Sequence, residues 1–291
     1  MANLKEVKTR ISSVISTQQI TKAMKMVAAA KLRKSQDRII QMRPFAMKMT
    51  ALVQNLAGGN SDADNWYSKP RPEEKILIVA VSSDRGLCGS FNSNTNKGVQ
   101  RLIQEKYAAQ QARGNVSILP IGKRALDYFS KRNFRVHNQF AGLFHGLSFD
   151  GAAEAGSFMI QGFRNGEFDR IEIVYNQFKN IATQILMVEQ FLPVLPLPTE
   201  SKQEVDYIFQ PNQEEILAGI IPKSLKVQLY KALLDSNASE NGARMTAMDK
   251  ATENAGDLLK DLKLTYNRSR QAAITKEILE IVAGAEALKH S

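Results

Sequence analysis

Leu4-Lys-Glu-Val-Lys-Thr-Arg-Ile-Ser-Ser-Val14 opens the segment that decides the architecture. Leu4, Val7, Ile11 and Val14 follow spacings of three and four, which align one apolar seam on a helix that packs along another helix. The surrounding composition agrees. No glycine occurs before Gly58, Pro44 is the only proline there, and Lys, Ala, Met, Gln, Arg and Leu dominate. These are helix formers, so residues 1–57 read as an N-terminal coiled-coil helix. Pro44 is expected to kink or interrupt it after Arg43, because its ring clashes with the preceding turn and removes a hydrogen bond.

The same pattern returns at the other end of the chain. From Pro222 onward Leu225, Leu229 and Leu233 lead into Met245, Met248, Thr252, Ala255, Leu259, Leu262, Tyr266, Ser269 and Ala273, stepping mostly by three and four. Residues 211–291 therefore read as a second coiled-coil helix. Gly256 and Gly284 each weaken it by about 1 kcal/mol relative to Ala, but no turn cluster surrounds them. The polar run Ser236-Asn-Ala-Ser-Glu-Asn-Gly242 is a candidate break.

Between these ends, residues 73–209 change character. Ile76–Val81 is a buried-strand run, followed by a turn at Ser82–Ser90 and a helical stretch over about Thr95–Ala112. Val116–Ile121 reads as strand, Lys123–Lys131 and Ala152–Phe163 as helices, Ile171–Tyr175 and Gln184–Val188 as strands, and Val205–Phe209 as an edge strand. Leu192–Pro198, with three prolines, reads as a stiff extended connection. Alternating strands and helices indicate a Rossmann-like α/β domain with a mostly parallel sheet.

Length then constrains how the parts combine. At 1.5 Å per residue, a helix over Leu4–Arg43 spans about 60 Å and one over Pro222–Ala287 about 100 Å, against roughly 50 Å for a compact domain of this size. The expected fold is a central α/β domain with a long antiparallel coiled coil made from the N- and C-terminal helices.

Charge is unevenly distributed. The net charge is +10, and residues 1–57 hold eleven Lys or Arg against Glu6 and Asp37, or +9. Residues 211–291 balance eleven bases with eleven acids. A basic N-terminal segment suits an acidic partner, whether nucleic acid, anionic lipid or protein. The longest unbroken apolar run, Ile76–Val81, is far short of a membrane span, and no signal-peptide core is present. A single cysteine, Cys88, excludes an internal disulfide framework.

Motifs for catalysis are weak. Gly86 and Gly89 follow the first strand without completing a dinucleotide-binding turn, and Gly122-Lys123 lacks the upstream glycine of a phosphate loop. Cys88 lies near a helix start, where a thiolate is favoured, but a small buried side chain is the plainer reading. His137 and His145 are eight apart, which matches neither zinc spacing nor a helical pair, and no partner carboxylate is evident. Asn237-Ala-Ser and Asn267-Arg-Ser match the glycosylation pattern, without a secretory signal to give them meaning. No catalytic, cofactor-binding or metal-ligating residues are assigned.

Thr17–Arg38 is the most informative segment. At 100° per residue Lys22, Lys25, Lys31, Arg33 and Lys34 fall near 0°, 300°, 180°, 20° and 120°, and Ala23, Met24, Met26, Val27, Ala28 and Leu32 are as scattered. Neither charge nor apolar surface keeps to one face. Such a helix is covered by its partner helix on one side and meets other molecules around the rest.

Four motifs now carry a resemblance: Ile20–Lys34; Asp84-Arg-Gly-Leu-Cys-Gly-Ser90; Ala243-Arg-Met-Thr-Ala-Met248; and Tyr266-Asn-Arg-Ser-Arg-Gln-Ala-Ala-Ile-Thr-Lys-Glu-Ile-Leu-Glu-Ile-Val-Ala-Gly-Ala285. In this order, spanning nearly the whole chain, they resemble the gamma subunits of F-type ATP synthases, of bacterial type. The resemblance implies a non-catalytic rotor shaft. Its terminal helices would form an asymmetric coiled coil inside a ring of alpha and beta subunits, and its α/β domain would sit on the membrane-embedded c-ring and hold the epsilon subunit. Ion flow would drive rotation, and each orientation would favour a different beta conformation.

By the same resemblance Lys22, Met24, Lys25, Lys31, Arg33 and Lys34 match a collar that faces an acidic loop of the beta subunits. Lys25 stands where some relatives look acidic. Arg244 faces the collar from the second helix, and Arg270, Gln271 and Thr275 match contacts with beta loops higher on the shaft. The family would place the chain peripherally, through the c-ring, at the cytoplasmic face of a bacterial inner membrane, with no cofactor. The single cysteine leaves no room for the redox pair of plant plastid relatives. The rival readings are a basic coiled-coil nucleic-acid-binding protein, disfavoured because its charge wraps around the helix, and a nucleotide-binding α/β enzyme, disfavoured by the missing phosphate loop.

Overall fold

The structure is a computed structural model and describes residues 4–57, 66–69, 71–194 and 213–289. In chain order it contains α1 (Leu4–Ala57), β1 (Ile76–Val81), α2 (Phe91–Lys106), α3 (Ala108–Ala112), β2 (Val116–Ile121), α4 (Lys123–Ser130), β3 (Arg135–Val136), α5 (Phe149–Arg164), β4 (Arg170–Phe178), β5 (Gln184–Leu192) and α6 (Gln213–Lys289). Two compact units divide the chain, one made from α1 up to Val27 with α6 from Met245, the other from Ala28–Arg244.

The first unit is a two-helix coil. In α1 the positions Leu4, Val7, Ile11, Val14, Gln18, Thr21 and Lys25 are buried or half-buried, and every flanking position but Met24 is exposed. Facing them, α6 places Met245, Met248, Thr252, Ala255, Leu259, Leu262, Tyr266, Ser269 and Ala273 at the same spacing, all at least half-buried. The helices run antiparallel: the Thr21 and Thr252 hydroxyls are 2.8 Å apart, and Lys25 Nζ reaches Asp249 Oδ1 at 2.5 Å. Gly256 allows the close approach, since a Cβ there would stand 3.1 Å from the Gln18 amide nitrogen. Thr21→Cys with Thr252→Cys should therefore oxidise to a bridge within one chain, read as a non-reducing gel shift. Failure of the bridge to form would contradict this pairing.

The seam corrects the sequence reading of Thr17–Arg38. One stripe does exist, but Gln18, Thr21, Lys25 and Ser35 occupy positions on it where apolar residues would make it visible. A periodicity measured by hydrophobicity alone misses it.

In the second unit the sheet order is β3-β2-β1-β4-β5, with β1 parallel to β2 and β4, β2 parallel to β3, and β5 antiparallel to β4. Alternation in β1 divides two cores. Leu77, Val79 and Val81 join Met159 and Phe163 of α5, Leu225, Leu229 and Leu233 of α6, and Val53 of α1. Ile76, Ile78 and Ala80 join Val99 and Ile103 of α2 and Ala125 and Phe129 of α4. Four of the five expected strands are present among the described residues, β4 and β5 extend further than their apolar runs suggested, and the short β3 was not anticipated. The helix expected over Thr95–Ala112 starts earlier and divides into α2 and α3. The edge strand at Val205–Phe209 and most of the proline-rich connection lie outside the described residues.

Two expected interruptions are absent. Pro44 sits inside α1 on its exposed side, while Ile39, Ala46 and Val53 are buried on the other, so packing on both flanks outweighs one lost hydrogen bond. The run Ser236–Gly242 is helical within α6, which begins before Pro222. Its polarity has a different cause: Ser236, Ala238 and Ser239 are fully buried, and Ser239 Oγ donates to Asn176 O of β4 at 2.9 Å. Ser239 here meets polar strand-end backbone, and Asn241 donates back to Asn237 one turn earlier.

One buried charge anchors the amino-terminal end of the sheet. Glu172 of β4 is 2% exposed and accepts from Lys106 Nζ and Tyr107 Oη, each at 2.5 Å, and from Arg170 Nε at 2.9 Å. Burial alone would push its pKa up, but these donors outweigh it and hold the carboxyl below its usual range. A depressed carboxyl stabilises the fold above its unfolded pKa, and that contribution is lost as pH falls through the folded value. Lys106 is partly exposed, so Glu172→Gln is expected to cost about 2 kcal/mol at pH 7. The difference from the parent should shrink below roughly pH 4, as measured by urea unfolding across pH.

Candidate functional site

The carboxyl ends of β1 and β4 form the topological switch point, where doubly wound sheets hold ligands. Here that place is taken by the chain itself. The turn after β1 folds under α4: Lys123 N donates to Asp84 Oδ1 at 3.1 Å, Arg124 N to Ser83 O at 3.1 Å and Ala125 N to Ser82 Oγ at 2.8 Å. These are the first amides of α4, the groups an anion would need. Gly122, at φ +106°, brings the two turns together, since a Cβ there would lie 2.4 Å from Ser82 O.

α6 covers the rest of the crevice. Ser239 is bonded to β4 as described, a Cβ on Gly242 would touch the Phe178 ring at 3.4 Å, and Arg244 Nη2 donates to Arg85 O and Gly86 O at 3.2 Å. Arg43 of α1 closes the β4 end, donating to Phe178 O at 2.7 Å and to Asp235 Oδ1 at 2.5 Å. Burial pushes the Asp235 carboxyl up, with Arg43 pulling against it. Cys88 lies buried beneath the turn; burial raises its pKa, opposite to what a nucleophilic thiol requires. The Asp84–Ser90 motif is thus a structural turn clamped by α4 and α6.

Beside this turn opens a polar cleft of about 430 Å³, lined by Lys31, Lys34 and Arg38 of α1, Arg85, and Glu240 and Arg244 of α6, among others. Burial pushes the Glu240 carboxyl up, and its Arg244 partner, 2.7 Å away, works against that. Of the residues singled out by sequence, Lys31, Lys34 and Arg244 come together here, and Arg33 is exposed nearby on α1. Arg244 is mostly buried and engaged within the chain. In the two-helix coil, Lys22, Arg270, Gln271 and Thr275 are exposed, Met24 is half-buried, and Lys25 pairs with Asp249. Arg38 and Arg85 were missed. Arg38 stands four residues after Lys34 and seven after Lys31, so helical spacing could have found it; Arg85 is brought in only by the fold.

The histidines differ from expectation in one respect. His145 Nδ1 lies 2.9 Å from Asp84 Oδ2, a carboxylate partner that sequence distance concealed. His137 packs against Phe158 and Phe168, and burial lowers its pKa. No helix among the described residues is long and apolar enough to cross a membrane.

Known proteins place this arrangement. A family model described as ATP synthase matches residues 3–288. The chain is 56% identical over 295 residues to the ATP synthase gamma chain of Cytophaga hutchinsonii, covering all of both chains. It is 54% identical over 291 residues to that of Flavobacterium psychrophilum, covering 99% of this chain and all of the relative. Among solved structures, the central stalk and c-ring of Tetrahymena thermophila mitochondrial ATP synthase contain a similar chain, at 26% identity and TM-score 0.57, covering 80% of this chain and 99% of that one. A chain of the Euglena gracilis mitochondrial enzyme shares the fold at 20% identity and TM-score 0.65, with 98% and 94% covered. A two-helix coil and a five-stranded sheet whose ligand crevice is filled from within, in a chain matched end to end by these relatives, place it in the ATP synthase gamma-chain family.

Proposed function

We propose that the chain turns as the central rotor shaft of ATP synthase and that its basic helix surface is what the surrounding subunits grip. As a gamma chain it is non-catalytic; the catalytic sites lie on beta, and ion flow through the membrane sector reaches them by rotation of this subunit. The observation that carries the reading is the concentration of positive charge on α1 beside a crevice filled by α4 and α6. Lys31, Lys34 and Arg38 present cations at one cleft, and Lys22 and Arg33 add exposed charge elsewhere on the helix. Such a surface attracts an acidic loop from several directions, which a rotating contact requires.

In this reading Lys22, Met24, Lys25, Lys31, Arg33 and Lys34 face beta subunits at the collar. Arg244 supports that region by holding the β1–α2 turn, and Arg270, Gln271 and Thr275 meet beta loops. The epsilon subunit binds the α/β domain, and the complex faces the cytoplasm of a bacterial inner membrane. Sequence and fold likeness to ATP synthase chains favour this over a nucleic-acid-binding coiled coil. Affinity purification of the tagged chain from detergent-solubilised membranes tests it. Alpha, beta, epsilon and c-ring subunits should co-elute, whereas salt-sensitive nucleic acid without them would overturn the reading.

A further inference from the structure

We infer that the buried ion pair Arg43–Asp235 is the torsional joint of the shaft, fixing the rotational setting of α1 and α6 on the sheet so that load passes between them without slip; this rests on the rotor reading. Three elements meet at this pair. Arg43 Nη2 on α1 donates to Asp235 Oδ1 on α6 at 2.5 Å and to Phe178 O at the end of β4 at 2.7 Å. Asp235 is 0% exposed, and the guanidinium is one-third exposed. Four residues along α6, Ser239 Oγ donates to Asn176 O, and on the preceding turn Lys231 Nζ reaches Glu189 of β5 at 3.1 Å. Tyr175 Oη of β4 donates to the same Glu189 at 2.5 Å. Thus 231, 235 and 239, one stripe of α6, are each tied to the sheet or to α1 by a directional bond.

Direction is the point. Around this stripe the contact is apolar: Leu225, Leu229 and Leu233 of α6 belong to the α5-side core. Apolar attraction depends on buried area and has little directional preference, so an apolar helix resists being lifted off a sheet better than it resists turning. A hydrogen bond weakens steeply when its angle changes, and Arg43 loses both bonds if α1 turns relative to β4. Nor is the pair arranged for stability alone: Arg43 Nε and Asp235 Oδ2 are buried without a hydrogen-bond partner among the described residues. Buried ion pairs can often be replaced by apolar residues without loss of stability, and that separates a torsional role from a merely structural one.

The test uses the whole complex containing Arg43→Met with Asp235→Leu, reconstituted in vesicles. Subunit co-purification, thermal unfolding, ATP hydrolysis and ATP-driven ion uptake are all measured. The variant is expected to assemble, to melt at or above the parent temperature and to hydrolyse ATP, while ions moved per ATP fall at least roughly fivefold, the low end of ordinary coupling between sites. Ion uptake per ATP equal to the parent's overturns the proposal, as does a fall in uptake and hydrolysis in proportion with a lowered melting temperature. If the double variant does not fold, Asp235→Asn decides: it keeps the side-chain volume and weakens the charge-assisted bond, and an unchanged ratio overturns the joint. If the parent chain itself fails to bring down alpha and beta subunits, the rotor reading falls instead.

Discussion

Replacing Lys31, Arg33 and Lys34 together by Glu should cut ion pumping per ATP hydrolysed by about an order of magnitude while leaving the chain folded. The three side chains are exposed, and none forms an ion pair among the described residues. Folding therefore has little to lose: exposed substitutions usually fall within about 0.5 kcal/mol each. The partner surface has more at stake, since like charges brought together at an interface cost several kcal/mol, and a tenfold change needs only about 1.4 kcal/mol. Lys31 also helps hold down the raised Glu240 carboxyl, so its reversal adds repulsion inside the cleft. Vesicles with the variant complex should acidify or load ions slowly at near-normal hydrolysis, and the deficit should shrink as salt screens exposed charge. Unchanged pumping would remove this surface from the coupling path.

The second large effect is on folding. Gly122→Val is expected to destabilise the α/β unit by about 4 kcal/mol or more, a large share of an ordinary domain's stability. Two costs add. At φ +106° the backbone lies in a region that side chains rarely adopt, and the new Cβ would stand 2.4 Å from Ser82 O and 2.7 Å from Ser82 Oγ. Neither neighbour is free to yield, because Ser82 Oγ accepts from Ala125 N and Ser82 N donates to Ile121 O. Gly114 is the internal control. It also has positive φ, but a Cβ there meets nothing within 4 Å, so Gly114→Ala should cost about 1 kcal/mol. Urea unfolding of both variants measures the contrast; equal losses would show that the collision at Gly122 is relieved by backbone movement.

Much of this architecture is legible in the residue order. The α6 seam from Met245 to Ala273 could be read directly because most of its members are apolar, and β1 and β2 announce themselves as unbroken buried runs. The α1 seam faded after Val14, where Gln18, Thr21 and Lys25 keep the spacing but not the hydrophobicity. Pro44 and the Ser236–Gly242 run misled for a common reason: each is locally unfavourable, and each is held by distant partners, among them Asp235 for the Arg43 turn and Asn176 for Ser239. At the candidate site, the basic residues of α1 were evident from charge counting. Their convergence with Arg85, and the engagement of Arg244 with the β1–α2 turn, depend on contacts more than forty residues apart in the chain. His145 and Asp84 illustrate the same limit, since no linear spacing relates them.

The crevice at the end of the sheet is occupied by a tethered resident, because α6 and the strands it lies on are one polypeptide. Its occupancy is therefore unimolecular, governed by a local effective concentration and indifferent to dilution. A free ligand could enter only by outcompeting that effective concentration. The place where related sheets receive a visitor is given over here to joining a helix to its strands, which suits a part that carries load.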